Sequence, residues 1–174
     1  MSQQELTKAN SSGNTSSESI PEISQLERDL YYFGVSSGGR GPKLVYRTST
    51  DVFQGPTGPH NRTRTTQLLP VSGHSKLSNS DLWNTILKET VKILDKHEIK
   101  FTSIDPVRFA WDDYNEDGSE TRVTSRFTIW IGVLPESTTT EAAFHASQGI
   151  LELLKQHEID DLDVAFRESV VRQL

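Results

Sequence analysis

Apolar residues recur at helical spacing in two segments of the chain. The first, from about Ser80 to Lys96, places six apolar side chains on one face: Leu82, Trp83, Ile86, Leu87, Val91 and Leu94. The second ends near Gln156 and has five inward-facing positions: Ala143, Ala146, Ile150, Leu153 and Leu154. Ser78 with Asp81, and Thr138 with Glu141, have the spacing of a capping box, which predicts where each helix begins.

Alternation with period two predicts four strands around these helices. They lie at 43–49, 102–114, 121–134 and 162–171, and Asp117-Gly118 favours a tight hairpin turn between the second and the third. The order β-α-β-β-α-β is that of the ferredoxin-like split βαβ arrangement. The sequence thus predicts an α+β domain in which two helices cover one face of a four-stranded antiparallel sheet.

The tripeptide His-Glu-Ile occurs twice, at 97–99 and at 157–159. Each copy follows a predicted helix and precedes a predicted strand. Lys96 with His97, and Lys155 with His157, are cations placed where they favour the negative end of a helix dipole. The two copies are therefore predicted to mark equivalent helix ends in two βαβ halves.

Two segments lack a clear period. Residues 1–27 are mostly polar and cannot bury enough surface to offset their chain entropy, which predicts a disordered tail, with a partner-binding segment as the alternative. Residues 50–79 lie inside the predicted domain, 28–174, and form a long loop of a kind that is often functional.

Side chains alternate between the two faces of a sheet, so each predicted strand has a helix-facing set and an opposite set. The helix-facing sets are Leu44 and Tyr46; Val107, Phe109 and Trp111; Phe127, Ile129, Ile131 and Val133; and Leu162, Val164 and Phe166. The opposite face, hereafter the second face, then carries Trp130 and one arginine from each strand: Arg47, Arg108, Arg126 and Arg167.

Four guanidinium groups on one sheet face repel one another unless negative groups lie among them. One hypothesis is that the second face binds a small anion, such as a phosphate or a carboxylate metabolite, beside Trp130. The alternative is that acids such as Asp112 and Asp163 pair with the arginines, whose stems cover the sheet. Neither interpretation identifies a catalytic residue.

Composition narrows the function classes. The chain has 174 residues, a net charge of −6 and no cysteine. It therefore lacks disulfides, thiolate metal sites and a cysteine nucleophile, and the acidic balance argues against a nucleic-acid surface. We see no secretory h-region and no apolar run long enough to span a membrane, so we expect an intracellular, cytoplasmic protein.

Three short motifs match functional signatures only in part. GVSSG at 34–38 resembles a nucleophile elbow, but a strand instead of a helix is predicted to follow it. DYNEDGSE at 113–120 begins like a calcium loop, but Thr124 stands where a bidentate glutamate is required. SSGGRGPK at 36–43 lacks the ending of a P-loop. The five histidines have no metal-ligand spacing, so no metal or cofactor site is predicted: His60, His74, His97, His145 and His157.

Five runs carry a resemblance to a known family: KLVYRTST, PTGP, FTSIDPVRF, WIGV and VAFRESVV. They resemble segments of uncharacterised fungal proteins, chiefly from basidiomycetes, over about 31–171. The closing FRESVV is the most specific part. The resemblance implies a fungal, non-secreted domain and implies no activity, cofactor or site residue.

Together these observations favour a non-enzymatic interaction or ligand-binding module, homo-oligomeric through the second face or attached to a protein partner. The alternative is a small enzyme that holds an anionic substrate between the second face and the 50–79 loop by Arg108, Arg126 and Arg167. A single-stranded nucleic-acid binder is a weaker alternative, because the chain is acidic.

Overall fold

The computed structural model describes residues 18–58 and 60–170, and the predicted tail up to residue 17 lies outside them. The described part is an α+β domain, as predicted. Its helices are α1 (Gln25–Leu30), α2 (Ser80–Lys96) and α3 (Thr140–Gln156). Its strands are β1 (Leu44–Arg47), β2 (Gln67–Leu69), β3 (Phe101–Tyr114), β4 (Glu120–Thr124), β5 (Phe127–Val133) and β6 (Leu162–Glu168). Helix α1 begins inside the segment predicted as tail.

The sheet differs from the predicted four-stranded antiparallel sheet. It has six strands in the order β1-β6-β5-β3-β2, and β4 pairs with β3 outside this path. Strands β5 and β6 are parallel neighbours, because α3 carries the chain back to the end where β5 began. The prediction of a wholly antiparallel, four-stranded ferredoxin-like sheet is therefore wrong in strand number and in the direction of one pair.

Both extra strands come from segments that the sequence pattern assigned otherwise. Strand β2 lies in the predicted 50–79 loop and pairs with Arg108 to Ala110 of β3. The single strand predicted at 121–134 is divided at Ser125 into β4 and β5, both of which pair with β3. There the Phe109 amide donates to Ser125 Oγ and the Ser125 amide donates to the Phe109 carbonyl, which holds the interruption in place.

The repeated His-Glu-Ile does end both long helices, as predicted. His97 and His157 are the C-cap residues, and Glu98 and Glu158 adopt left-handed backbone angles, with φ of 56° and 57°. In each copy the isoleucine amide returns to the carbonyl of a leucine in the last turn, at 2.9 Å in the first copy and 3.0 Å in the second. The two ends are therefore the same Schellman-type cap.

The helix starts lie one residue later than the capping boxes predicted. Asn79 caps α2, and its side-chain oxygen accepts from the amides of Asp81 and Leu82. Thr139 caps α3 and accepts from the Ala142 amide. Both helices have 17 residues, and among the described residues no helix combines the length and apolar character needed to cross a membrane.

The sheet separates two hydrophobic cores. The first lies under α2 and α3 and receives the predicted faces of β5 and β6, including Ile129, Ile131, Val164 and Phe166. The second core lies on the second face and is covered by the chain itself. It consists of Tyr31, Tyr32, Leu44, Val107, Phe109, Trp111, Trp130 and Ala165, and Phe53 of the loop after β1 packs against it.

Two strand faces were assigned wrongly. Val107, Phe109 and Trp111 of β3 belong to the second core, so Arg108 lies on the helix side, over the Phe127 ring at 4.8 Å. In β1 a bulge between Leu44 and Tyr46 places Leu44 in the second core and Val45 and Tyr46 in the first. Apolar side chains on both sides of these strands made the two faces indistinguishable by pattern.

Candidate functional site

The four predicted arginines do not form one cluster. Arg108 lies on the helix side, where its Nε donates to the Ser125 carbonyl. Arg126 is exposed, lies 3.7 Å from an Asp163 carboxylate oxygen and donates to the Asp160 carbonyl. Arg47 and Arg167 lie on the second face in two separate environments, described below. Arg126 is therefore paired with an acid, as the alternative interpretation of the arginines predicted.

Arg47 belongs to a closed charge network that the sequence did not reveal. Its guanidinium reaches a Glu27 oxygen at 2.9 Å and an Asp51 oxygen at 3.0 Å. Arg64 donates to the other Asp51 oxygen at 3.1 Å and lies over the Trp111 ring at 4.2 Å. Two cations balance two carboxylates here, so the network fastens the 50–64 segment to the sheet and leaves no free charge for a ligand.

Burial and neighbouring charges shift the pKa values of Tyr31 and Asp51 in this network. Burial raises the pKa of Tyr31 to about 12, and its hydroxyl donates to Asp51 at 2.8 Å. For Asp51, burial acts to raise the pKa, but Arg47, the Tyr31 hydroxyl, Ser49 and Arg64 outweigh it and lower the pKa below its usual value. Asp51 is therefore held in its charged form, as a structural ion pair requires.

Arg167 is held differently. Its guanidinium lies over the Trp130 ring, with 3.7 Å between Cζ and the ring centroid. Nη2 makes two long contacts, to Ser103 Oγ at 3.3 Å and to Asp105 Oδ2 at 3.4 Å, and Nε has no hydrogen-bond partner among the described residues. The side chain is only 12% exposed, and burial lowers its pKa although Asp105 opposes the shift. This arginine is therefore aromatic-stacked, largely desolvated and incompletely hydrogen-bonded.

Gly132 makes this arrangement possible. It is the cross-strand neighbour of both Ser103 and Arg167. A Cβ at this position would lie 2.6 Å from Thr102 Oγ1 and 2.9 Å from both Arg167 Nη1 and Ser103 Oγ. Because glycine has no side chain, the arginine can lie across the strand and reach Trp130.

A surface cavity of about 500 Å³ opens beside Arg167. One wall is the end of β6 and the residues that follow it, 167–170, together with Trp130. The other wall is the loop at 35–42, hereafter the glycine-rich loop, which contributes Val35, Ser36, Gly41 and Pro42. The path of this loop requires glycine at position 41, because a Cβ there would lie 1.8 Å from the Tyr32 carbonyl oxygen. The segment considered as a nucleophile elbow or phosphate loop thus forms a wall of the cavity that holds Arg167.

The other motifs have local roles in the structure. The acidic segment DYNEDGSE forms the β3–β4 hairpin tip, where Asp117 accepts from the Ser119 amide and hydroxyl. The buried His74, which the sequence did not single out, lies 3.1 Å from an Asp161 oxygen through Nε2, and its Nδ1 accepts from the Lys76 and Leu77 amides. Among the described residues no three metal-ligating side chains come together.

Arg167 and Trp130 are thus the two predicted site residues that share one cavity, and the cavity makes them the candidate site. Comparison with known proteins adds no relative to this geometry, because no family model, curated protein or solved structure matches the chain. The resemblance to fungal proteins stays a prediction.

Proposed function

We propose that the protein is a binding module for a small ligand with an anionic head group. The observation that carries this proposal is the state of Arg167. Among the described residues its guanidinium lies over Trp130 and makes only two long polar contacts, and the residue lines a surface cavity. A carboxylate or phosphate would give it short, charge-assisted hydrogen bonds that the described residues do not supply.

The Trp130 ring prepares the arginine for this role. It fixes the plane of the guanidinium, so a ligand does not bear the entropic cost of ordering a long side chain. Trp130 itself is only 4% exposed, because Tyr32 packs edge-on against it with ring centroids 5.1 Å apart. The indole therefore supports the arginine from below and leaves the guanidinium edge as the group that meets the ligand.

Binding fits this cavity better than catalysis does. Among the described lining residues the charged side chains are Arg167 and Glu168, and the hydroxyl groups of Ser36 and Ser169 have no histidine beside them. An acid–base reaction needs a donor and an acceptor within mutual reach, together with a reacting centre. Arg108 and Arg126 lie elsewhere and cannot help to hold a substrate here.

Titration followed by NMR tests the proposal. Acetate and inorganic phosphate are added to protein labelled with nitrogen-15, and the Arg167 Nε and Trp130 Nε1 signals are followed. We expect saturable shifts with a dissociation constant on the order of 1 mM, the value for a few charge-assisted bonds in a small ligand. Arg167→Gln should abolish the shifts, whereas the control Arg126→Gln should retain them. Shifts that do not saturate, or that survive Arg167→Gln, would reject the proposal.

Self-association through the second face is a separate prediction. The second core is already covered by residues of the same chain, among them Tyr31, Tyr32 and Phe53. A dimer on this side of the sheet would therefore have to bury the outer surface of these covering segments. Light scattering on the full chain measures the solution mass directly. A dimer would identify this protein as an assembling module as well, and a monomer would leave the cavity as its interaction site.

A further inference from the structure

The cavity beside Arg167 is larger than an anionic head group needs. Its volume of about 500 Å³ is within the range of roughly 300–1,000 Å³ that is typical of sites for whole organic ligands. A carboxylate or phosphate bound to the guanidinium occupies one end of such a space. The rest has to be filled by water or by the body of the ligand.

The remaining walls include aliphatic surface. Val35, which also packs against the second core, and Pro42 line the cavity on the side of the glycine-rich loop, and Val170 follows β6 on the opposite side. Val170 is 69% exposed, so a ligand that lay against it would remove its apolar surface from water. Burial of this surface by a ligand would release about 25 cal/mol per Å² of apolar area. The walls therefore favour a ligand with an apolar body.

The local charge restricts the head group. Arg167 is the one cation among the described lining side chains, and Glu168 lines the same cavity, with its carboxylate accepting from the Glu136 amide. Asp105 lies behind the guanidinium at 3.4 Å. Because Asp105 already offsets part of the positive charge of the guanidinium, a second negative charge on the ligand meets repulsion that a single charge does not. The site therefore favours a monoanion over a phosphate dianion.

We infer that the ligand is a monocarboxylate with an aliphatic or aromatic body, its carboxylate on Arg167 and its body between Val170 and the Val35–Pro42 wall. This inference rests on the proposed function and specifies its ligand class. The carboxylate accepts two N–H bonds from the guanidinium, and the body displaces water from the aliphatic walls.

The test is a series of straight-chain carboxylates from acetate to octanoate, with hexyl phosphate as the matched dianion, titrated by calorimetry into the full chain. We expect affinity to rise about twofold to fourfold per methylene until the cavity is filled. Hexanoate should bind more tightly than hexyl phosphate. Val170→Ser should weaken hexanoate binding severalfold and leave acetate binding unchanged. Val52→Ser is the matched control, because Val52 is 80% exposed and does not line this cavity.

Each outcome has a distinct meaning. If acetate and octanoate bind equally and both need Arg167, the anion site exists but the assignment of an apolar ligand body is wrong. If hexyl phosphate binds more tightly than hexanoate, the monocarboxylate assignment is wrong. If no anion binds in an Arg167-dependent way, the inference and the proposed function both fail. A chain-length dependence that Val170→Ser removes and Val52→Ser retains would support the inference.

Discussion

Glu98 and Glu158 occupy the left-handed position of two equivalent helix caps, and Glu98→Gly is expected to stabilise the fold. An L-residue in this conformation costs roughly 1–2 kcal/mol, because its Cβ approaches the carbonyl oxygen, and glycine avoids this cost. Glycine also makes the unfolded chain more flexible, which removes about 0.4–1 kcal/mol of the gain. The net increase in the free energy of unfolding should be roughly 0.5–1 kcal/mol.

The structure makes Glu98 the cleaner of the two positions. Its side chain makes no hydrogen bond or ion pair among the described residues, whereas Glu158 lies 3.6 Å from Lys76 Nζ in an exposed pair of little expected strength. Glu158→Gly should therefore stabilise in the same direction by slightly less. The Ile99 and Ile159 amides keep their bonds to the helix in both variants, since those bonds involve backbone atoms.

Urea unfolding and thermal unfolding measure the effect. For a chain of this length, a gain of this size raises Tm by about 1–4 °C. Glu152→Gly in the middle of α3 is the matched control, and it should lower stability by about 1 kcal/mol, as glycine does inside a helix. If Glu98→Gly destabilised the protein as Glu152→Gly does, the left-handed cap would not be the source of strain.

Three further predictions concern the second face. Ionised Asp51 stabilises the fold above its unfolded pKa of about 3.9, and this contribution is lost as the pH falls through its lowered folded pKa. Asp51→Asn should therefore reduce the urea midpoint at neutral pH and make the midpoint fall less steeply on acidification, whereas an unchanged dependence of the midpoint on pH would contradict the ion-pair network. Trp130→Ala should lower the free energy of unfolding by about 3–5 kcal/mol, because it empties the second core; a cost below 1 kcal/mol, measured by urea unfolding, would mean that this face is not a core. Asp105→Asn should tighten carboxylate binding severalfold in calorimetry, since it removes the negative charge that competes with the ligand for Arg167; weaker binding would instead make Asp105 a positioning residue.

Much of the fold follows from local patterns. The helices at 80–96 and near 140–156, their shared His-Glu-Ile ends and the inward faces of β5 and β6 were all predicted, because helix periodicity, capping chemistry and alternation act over a few residues. Of the site, the sequence placed Arg167 and Trp130 on the same face of the sheet. It could not separate Arg167, which keeps unfilled hydrogen-bonding capacity, from Arg47 and Arg126, which pair with Glu27 and Asp163 of distant segments.

Only the tertiary structure decided which face was which in β3. Alternation shows that Val107, Phe109 and Trp111 share a side, but both sides of this sheet are buried, so the pattern carried no information about which core they enter. The same ambiguity placed Arg108 on the wrong face, and the bulge in β1 interrupted the alternation altogether. The parallel pairing of β5 with β6 and the cavity beside Arg167 depend on segments far apart in the chain. The sequence therefore determined the elements and their ends, whereas long-range packing determined the sheet order, the second core and the site.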